Sequence, residues 1–549
     1  MREDPPTLGG GASIHAYGPL LCLSRSETLA PMRLFHTSRG GVLPFLLLLT
    51  VLVGPFLGGC GGGDADPGPL RHVLLVSLDT ARVDRIGAFG DASARTPILD
   101  GLSDRGVSFD SVTSAAPTTL ASHTSLMTGS WPHTHGVARN GFVVHEDNEM
   151  LAETFRQKGF HTAGVLGSFA LESRFRFDQG FDHYDEDFDE LVSVSGADQN
   201  QRRGDRVTRA ALDHVDTVLG DVDRLFLFVQ YFDTHAPYAP PEPFAKPFLA
   251  PGASPTSDMH DVDAAVRAQQ QAATGQAFGH AGAINAGLRG PLRALVGNVS
   301  GQPGPEDLHL ANLYSGEMSF MDKALGDLLE GLRKRGILDE TLVVVIADHG
   351  ETFWEHADLW NHGLAVYQTT VHVPLIFCFP DGRQAGHRIS TPVSTIDVVP
   401  TLCEILGLEV PTRCEGMSLV SALEGGTLNR GPVFAEATQP WVAERPGVWA
   451  NAGKARCVRS GRWKYVVSPY NSIEELFDLD VDPGEQRNLL EGTPSPQILA
   501  TRGALRAELA TWQEGREPLP ARFDSSQMQE TLERLRAMGY SGESDSSGD

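Results

Sequence analysis

Three short apolar runs constrain this chain more than any other feature, because each is followed within two residues by an aspartate. His72–Leu78 reads HVLLVSL, Arg224–Tyr231 reads RLFLFVQY and Thr341–Ile346 reads TLVVVI. None alternates between apolar and polar positions, so each predicts a strand buried on both faces, the habit of parallel sheets covered by helices. Asp79, Asp233 and Asp348 follow the three runs. Open α/β sheets gather their sites at the carboxyl ends of strands, so residues far apart in sequence can converge there.

Between the runs the pattern alternates. Helices are expected at Thr96–Gly106, Leu120–Met127, Glu149–Lys158, Gly204–Leu219, Asp307–Arg335 and Ile396–Leu406, and further strands at Val107–Val112, Thr162–Leu166 and Pro374–Phe379. Gly180–Asp189 reads as an acidic, aromatic loop. This predicts an α/β fold, a large mostly parallel sheet sandwiched by helices. From Gly431 short strands take over at Val433–Ala437, Ala455–Ser460, Trp463–Ser468 and Leu476–Leu479, closed by a helix at Ile498–Glu514. They predict a smaller C-terminal α+β subdomain over 431–515, after a main domain over 71–430, with 516–549 as a tail. The Gly-, Ala-, Gln- and Pro-rich stretch 250–305 reads as a loop insertion carrying one helix near Asp261–Ala273.

The amino end resembles a processing signal. Basic residues Arg33 and Arg39 precede the apolar stretch Val42–Leu57, which Pro44 and Pro55 break. Leu57-Gly58-Gly59-Cys60 resembles a bacterial lipobox. The expectation is therefore an over-extended start over 1–31, a lipoprotein-type signal over 32–60, a lipid anchor on Cys60 and a flexible linker over 61–70. The mature protein would sit in the bacterial cell envelope or periplasm, lipid-anchored or secreted. Disulfides are permitted there. Cys378, Cys403, Cys414 and Cys457 remain, and Cys403 with Cys414 could close a short loop, a pairing the spacing leaves open.

Acidic residues outnumber basic ones 70 to 44, for a net charge of -26. That balance argues against nucleic acid, whose phosphates need Lys and Arg. It does not argue against a small anionic substrate, since a local metal can reverse the field. Ligands for one are at hand: His349 adjoins Asp348, His235 follows Asp233 by two residues, and His362 lies a short loop beyond. Carboxylates and imidazoles of this kind suit one or two divalent cations, calcium, zinc or manganese. Ala116–Gly136 (APTTLASHTSLMTGSWPHTHG) places Thr119 at the first turn of a short helix, where unpaired N–H groups and the helix dipole favour an alkoxide or an anion.

At this point the chain resembles the sulfatase family of the alkaline phosphatase superfamily, from about His72 to Leu490. Leu126-Met127-Thr128-Gly129 matches the L-x-T-G that ends the family's nucleophile motif, which puts Thr119 at the nucleophile, Ala121 at the motif's proline and His123 at its arginine. Asp79 matches the first metal aspartate, and Asp348-His349-Gly350-Glu351 the D-H-G-E motif. Phe232–Pro241 is similar to the family's substrate-side histidine segment, while Trp463-Lys464-Tyr465 and Glu475–Leu489 are similar to its C-terminal hallmark. The resemblance implies an alkaline-phosphatase-like fold and a metal-dependent ester hydrolase acting on a small anionic ester or a sulfated or phosphorylated glycan.

The departures bear on mechanism. The family's usual nucleophile is a Cys or Ser converted to formylglycine, an aldehyde Thr119 cannot become, so no formylglycine is expected. Thr80 replaces the second aspartate of a D-D pair, the K-x-H motif is missing, and His362 stands where many sulfatases have a lysine. A threonine with Asp, Asp and His ligands resembles the superfamily's phosphodiesterases and phosphoethanolamine transferases. The expected ligand set is Asp79, Thr119, Asp348 and His349, with Asp233, His235 and His362 binding a second metal or the transferring group. Thr119, His235 and His362 are the expected catalytic residues. Two alternatives stand beside hydrolysis: transfer of a phosphoethanolamine-type head group to an envelope glycan or lipid, and a non-catalytic protein that binds sulfated glycans. Lys464 and Arg462 read as basic side chains on a surface strand.

Overall fold

The computed structural model describes residues 70–188, 201–256, 303, 305–356, 361–445, 447–515, 517–520, 522–523, 530–531 and 534. The signal, Cys60, the linker before residue 70, the helix expected at Asp261–Ala273 and most of the tail lie outside the described residues. Asp64–Asp549 forms one compact unit. No helix among the described residues is long and apolar enough to cross a membrane.

Among the described residues the main sheet has eight strands: β1 His72–Leu78, β2 Val107–Phe109, β3 His161–Val165, β4 His183–Asp185, β5 Leu225–Tyr231, β6 Thr341–Ala347, β7 Leu375–Cys378 and β8 His387–Ile389, in spatial order β8-β2-β7-β6-β1-β5-β3-β4. All run parallel except β7, which is antiparallel to both neighbours. The three apolar runs are the three central strands, buried throughout. Their pairing is in step, with Leu78 opposite both Ala347 and Tyr231. Consequently Asp79 and Asp348 leave the sheet at the same level.

Helices α1 Pro97–Arg105, α2 Thr119–Thr128, α3 Gly204–Val218, α4 Pro305–Lys334 and α5 Val398–Leu406 cover this sheet. α1, α3 and α4 pack together, and α2 packs with α5 in a second group. Leu120 and Leu126 are buried on α2, but so is every polar residue of that helix. A helix enclosed all round is a core element, not a surface one. It stops at Gly129, whose φ of 68° is left-handed and whose missing Cβ would meet Cys414 Sγ, Val399 Cβ and Ile396 O.

Two expectations about the strands of the main sheet need correcting. Val107–Val112 is not one strand: β2 ends at Phe109, and Val112–Thr113 joins a separate three-stranded sheet. Gly180–Asp189 is not wholly loop, because His183–Asp185 pairs with β3 as the edge strand β4. Its acidic composition hid it, and Arg202 compensates by gripping Asp185 at 2.9 Å.

The C-terminal strands β9 Val433–Glu436, β10 Arg456–Ser460, β11 Trp463–Ser468 and β12 Ile473–Asp478 form one antiparallel sheet in sequence order, against which α6 Pro496–Gln513 packs. Lys464 is not on the surface. It is 1% exposed and pairs with the buried Glu485 at 2.7 Å, a partner supplied by the turn that follows β12. Cys403 and Cys457 are buried, Cys378 and Cys414 are half-buried, and no disulfide joins any of them.

One long-range cap locks the helical layer. Thr96 precedes α1 without a capping side chain; instead Asp322 of α4 accepts the N–H groups of Ile98 (3.1 Å) and Leu99 (2.8 Å). Asp322→Ala is expected to lower stability by about 1–2 kcal/mol, the scale of a lost helix cap. Asp322→Asn, which keeps an acceptor, should lose less. Urea unfolding of the two variants checks this.

Candidate metal centre and nucleophile

The strand ends converge as their register requires. Asp79, Asp348 and His349 bring ligand atoms within 4.8 Å of one another, and all three are buried. The carboxylates are fixed from behind. Gln230 Nε2 donates to Asp79 Oδ2 at 2.8 Å, while the backbone N–H groups of His349 (2.7 Å) and Thr80 (3.2 Å) both donate to Asp348 Oδ1. Ser122 Oγ donates to Asp348 Oδ2 at 3.2 Å. Thr80, at the position of a family aspartate, thus serves through its backbone. Its φ of 50° is left-handed, a conformation that costs a non-glycine residue and persists where surroundings enforce it. Here Tyr314 Oη donates to its carbonyl at 2.8 Å.

Thr119 opens α2, fully buried, with its side chain close enough to Asp79 to favour the charged form of that carboxylate. The expected nucleophile thus lies beside Asp79, one member of the Asp79–Asp348–His349 group. Asn140 Oδ1 accepts the next N–H of the helix, that of Leu120, at 2.8 Å. His123, one turn on, donates from Nδ1 to Thr119 O (2.7 Å), lies 3.4 Å from Asp348 Oδ2 and meets Ser77 Oγ through Nε2 at 2.8 Å. It stands at the family's arginine position as a neutral brace, since burial lowers its pKa.

The electrostatics suit a cation. Burial, and then the charge of Asp348, push Asp79 well above the usual carboxylate range. Burial pushes Asp348 up to about 6 against the pull of His123 and its two N–H donors. Burial, followed by His362, holds His349 down to about 3, so its ring is neutral. His349 Nδ1 faces the carbonyl of Gly350 at 2.9 Å, which accepts only; Nδ1 carries the proton and Nε2 offers a lone pair. That buried Nε2 has no hydrogen-bond partner. Two desolvated carboxylates and a lone-pair nitrogen fit a divalent cation.

The other expected residues form an adjoining shell. The His362 ring lies 4.6 Å from that of His349 and 5.2 Å from that of His235. His362 Nδ1 is 3.1 Å from Glu351 Oε2, a carboxylate–imidazole pair. His235 stacks on Phe232 and points Nδ1 at its neighbour's carbonyl, Ala236 O, at 2.7 Å. Burial, then His362, hold it down to about 3. Asp233 turns elsewhere: it accepts the N–H of Gly204 at 3.0 Å and lines a hollow with Arg203, Glu317 and His235. Phe232, not Asp233, holds the register position of Asp79, and side chains one step further along an extended chain point the other way. Sequence reasoning missed Gln230, Ser122 and Asn140 altogether. A lone glutamine within an apolar strand was the one visible signal among them.

Known families match most of this chain. A family model described as Sulfatase matches residues 71–408, and one described as N-sulphoglucosamine sulphohydrolase, C-terminal, matches residues 355–514. Arylsulfatase K of Mus musculus is 34% identical over 180 residues, 32% of this chain and 31% of that protein. Choline-sulfatase of Rhizobium meliloti is 33% identical over 196 residues, 35% of each. The matched segments thus span about a third of the length of these relatives. An ulvan-active sulfatase of Formosa agariphila aligns over 444 residues, 78% of each chain, at 25% identity. Among solved structures, a phosphonate monoester hydrolase of Agrobacterium radiobacter shares the fold, with a TM-score of 0.60 and 23% identity over 81% of this chain and 95% of that one.

The metal-free protein should be sensitive to pH in a definite sense. Asp348 has a folded-state pKa of about 6, above its ordinary value, so its contribution to stability is full below that ordinary value and is lost as pH rises through about 6. Chelator-treated protein should therefore melt at lower temperature at pH 7 than at pH 5, and added divalent cation should remove most of that difference. Differential scanning calorimetry checks both.

Proposed function

The chain belongs to the sulfatase family, and on that premise we propose that it is a metal-dependent hydrolase of sulfate or phosphate esters whose nucleophile is Thr119. The observation that carries the reading is the place of the buried Thr119 side chain, at the amino end of α2 and beside Asp79, one of the three members of the metal-fitting group. Asp79, Asp348 and His349 would hold the cation, which when bound supplies positive charge that favours an ionised hydroxyl and a crowded anionic ester.

The chain's own residues do the rest. Asp79 receives the hydroxyl proton's hydrogen bond and orients the attacking oxygen. α2 directs its amino end, the positive end of its dipole, at the charge that builds up. Displacement on sulfur or phosphorus joins the ester's central atom to Thr119 Oγ1, whose proton passes to Asp79, and water later displaces Oγ1 to release the sulfate or phosphate; the first step frees the alcohol oxygen, which needs a proton. His362 is placed to give it, with its Nδ1 3.1 Å from the Glu351 carboxylate. His235 accepts through its remaining ring nitrogen and orients the leaving group. Asp233, with Arg203 and Glu317, borders the leaving-group side through the hollow it shares with His235.

The names of its relatives include a choline ester and ulvan, which supports a sulfated small molecule or glycan as substrate; the threonine favours phosphoryl and phosphonyl esters on chemical grounds. The run Val42–Leu57 and Cys60 support a place in the cell envelope.

Purified protein should be assayed on matched aryl sulfate, phosphate monoester and phosphate diester with calcium, zinc or manganese. Thr119→Ala should abolish turnover on every substrate the parent cleaves; full turnover in that variant would sink the nucleophile assignment. His362→Ala should cost about 10²–10⁴-fold on substrates with poor leaving groups. It should cost far less on nitrophenyl esters, which need no proton.

A further inference from the structure

At the end of the main sheet opposite the metal centre lies a second cluster of imidazoles. His161 opens β3, His183 opens β4, and His214 lies on α3. β3 runs parallel to β5 with His161 beside Leu225, so these rings sit at the amino ends of strands, whereas the Asp79 group sits beyond the carboxyl ends of the central ones. His161 Nε2 and His214 Nε2 face each other at 3.0 Å. His183 stacks on His214 with ring centroids 3.8 Å and planes 4° apart, which fixes the plane in which the His214 nitrogens lie.

Two imidazole nitrogens this close share one proton, one donating and the other accepting. Asp182 Oδ2, held by the Thr162 N–H at 3.0 Å and its hydroxyl at 3.1 Å, lies 3.8 Å from His161 Nδ1. That carboxylate favours a proton on Nδ1 and leaves the Nε2 lone pair aimed at His214. Burial and the neighbouring histidines hold His214 down to about 4, so the ring is neutral near pH 7, as ligation requires. Two nitrogens on a tetrahedral zinc stand about 3.3 Å apart, given Zn–N bonds of about 2.0–2.1 Å. Exchanging the shared proton for a tetrahedral cation thus needs an opening of a few tenths of an ångström and a tilt of each ring that turns its lone pair off the line between the nitrogens. The displaced His214 proton moves to its own Nδ1 through solvent, leaving the net charge of the rings unchanged. The His161 side chain is 20% exposed, which admits a cation and the waters that complete its shell.

We propose that His161 and His214 form a binding site for a borderline transition-metal cation, zinc or copper(II), that staples β3 to α3 and is separate from the Asp79–Asp348–His349 group. Asp185 is taken up by Arg202 and is not a ligand.

Zinc titration by calorimetry and copper(II) titration by electron paramagnetic resonance test this on the full chain. The parent should bind one more zinc equivalent than either His161→Gln or His214→Gln. Its copper spectrum should show coupling to two nitrogens that both variants lose, and the zinc-induced rise in Tm should shrink in both. Unchanged stoichiometry and nitrogen coupling in the two variants would overturn the proposal. Asp348→Asn provides an arm that keeps both rings: it should lose the other equivalent and retain the two-nitrogen copper signal. Absence of that signal would equally overturn the site.

Discussion

Keeping two carboxylates side by side without water is the demand on which this structure turns. Asp79 and Asp348 sit at adjoining strand ends, both buried, each raising the other's cost of ionisation. Isolated buried charges are expensive, and hydrogen bonds to the charged form are the protein's means of offsetting that. Gln230, Thr119, Ser122 and the N–H groups of Thr80 and His349 are all committed to it. The left-handed turn at Thr80 follows from the same demand, since it delivers one of those N–H groups. What hydrogen bonds leave uncompensated is electrostatic, and that is the remainder a divalent cation supplies.

The family resemblance is most informative where it breaks. A lysine beside the site would be a point charge on a flexible stem, whereas His362 is a flat ring fixed 3.1 Å from the carboxylate of Glu351. An arginine at position 123 would place a permanent cation against Asp348. His123 is neutral instead and braces Thr119 O and Ser77, so no fixed cation competes with a metal for the Asp79–Asp348 pair.

Much of this was legible in the chain because the strongest signals are local. β1 was readable to the residue and β6 to within one, since a doubly buried strand leaves no alternation to misread. The convergence of Asp79 with Asp348 followed from strand-end logic. The same logic placed Asp233 beside them, and it failed by one residue: register is a property of paired strands, and a single step reverses a side chain's direction. Gln230, Asn140 and Ser122 were unreadable for a related reason, as each matters only through a partner 20 to 226 residues away. Lys464 was misplaced because charge alone suggests solvent. Its burial depends on Glu485, a residue with no local mark of being inside.

The sheet order β6-β1-β5 also bears on how the polypeptide must be made. Among the described strands β1 is the first to leave the ribosome, yet its two edges are taken by Leu225–Tyr231 and Thr341–Ala347. Until the second of these emerges, an apolar strand stands with at least one backbone edge unpaired, the template on which chains add to one another. Loop closures of this span slow folding, because their entropy is lost before any contact repays it. The arrangement that aligns the aspartates therefore makes the nascent protein dependent on being held apart from its copies. Its functional edge and its period of greatest exposure to aggregation have the same origin in the order of the strands.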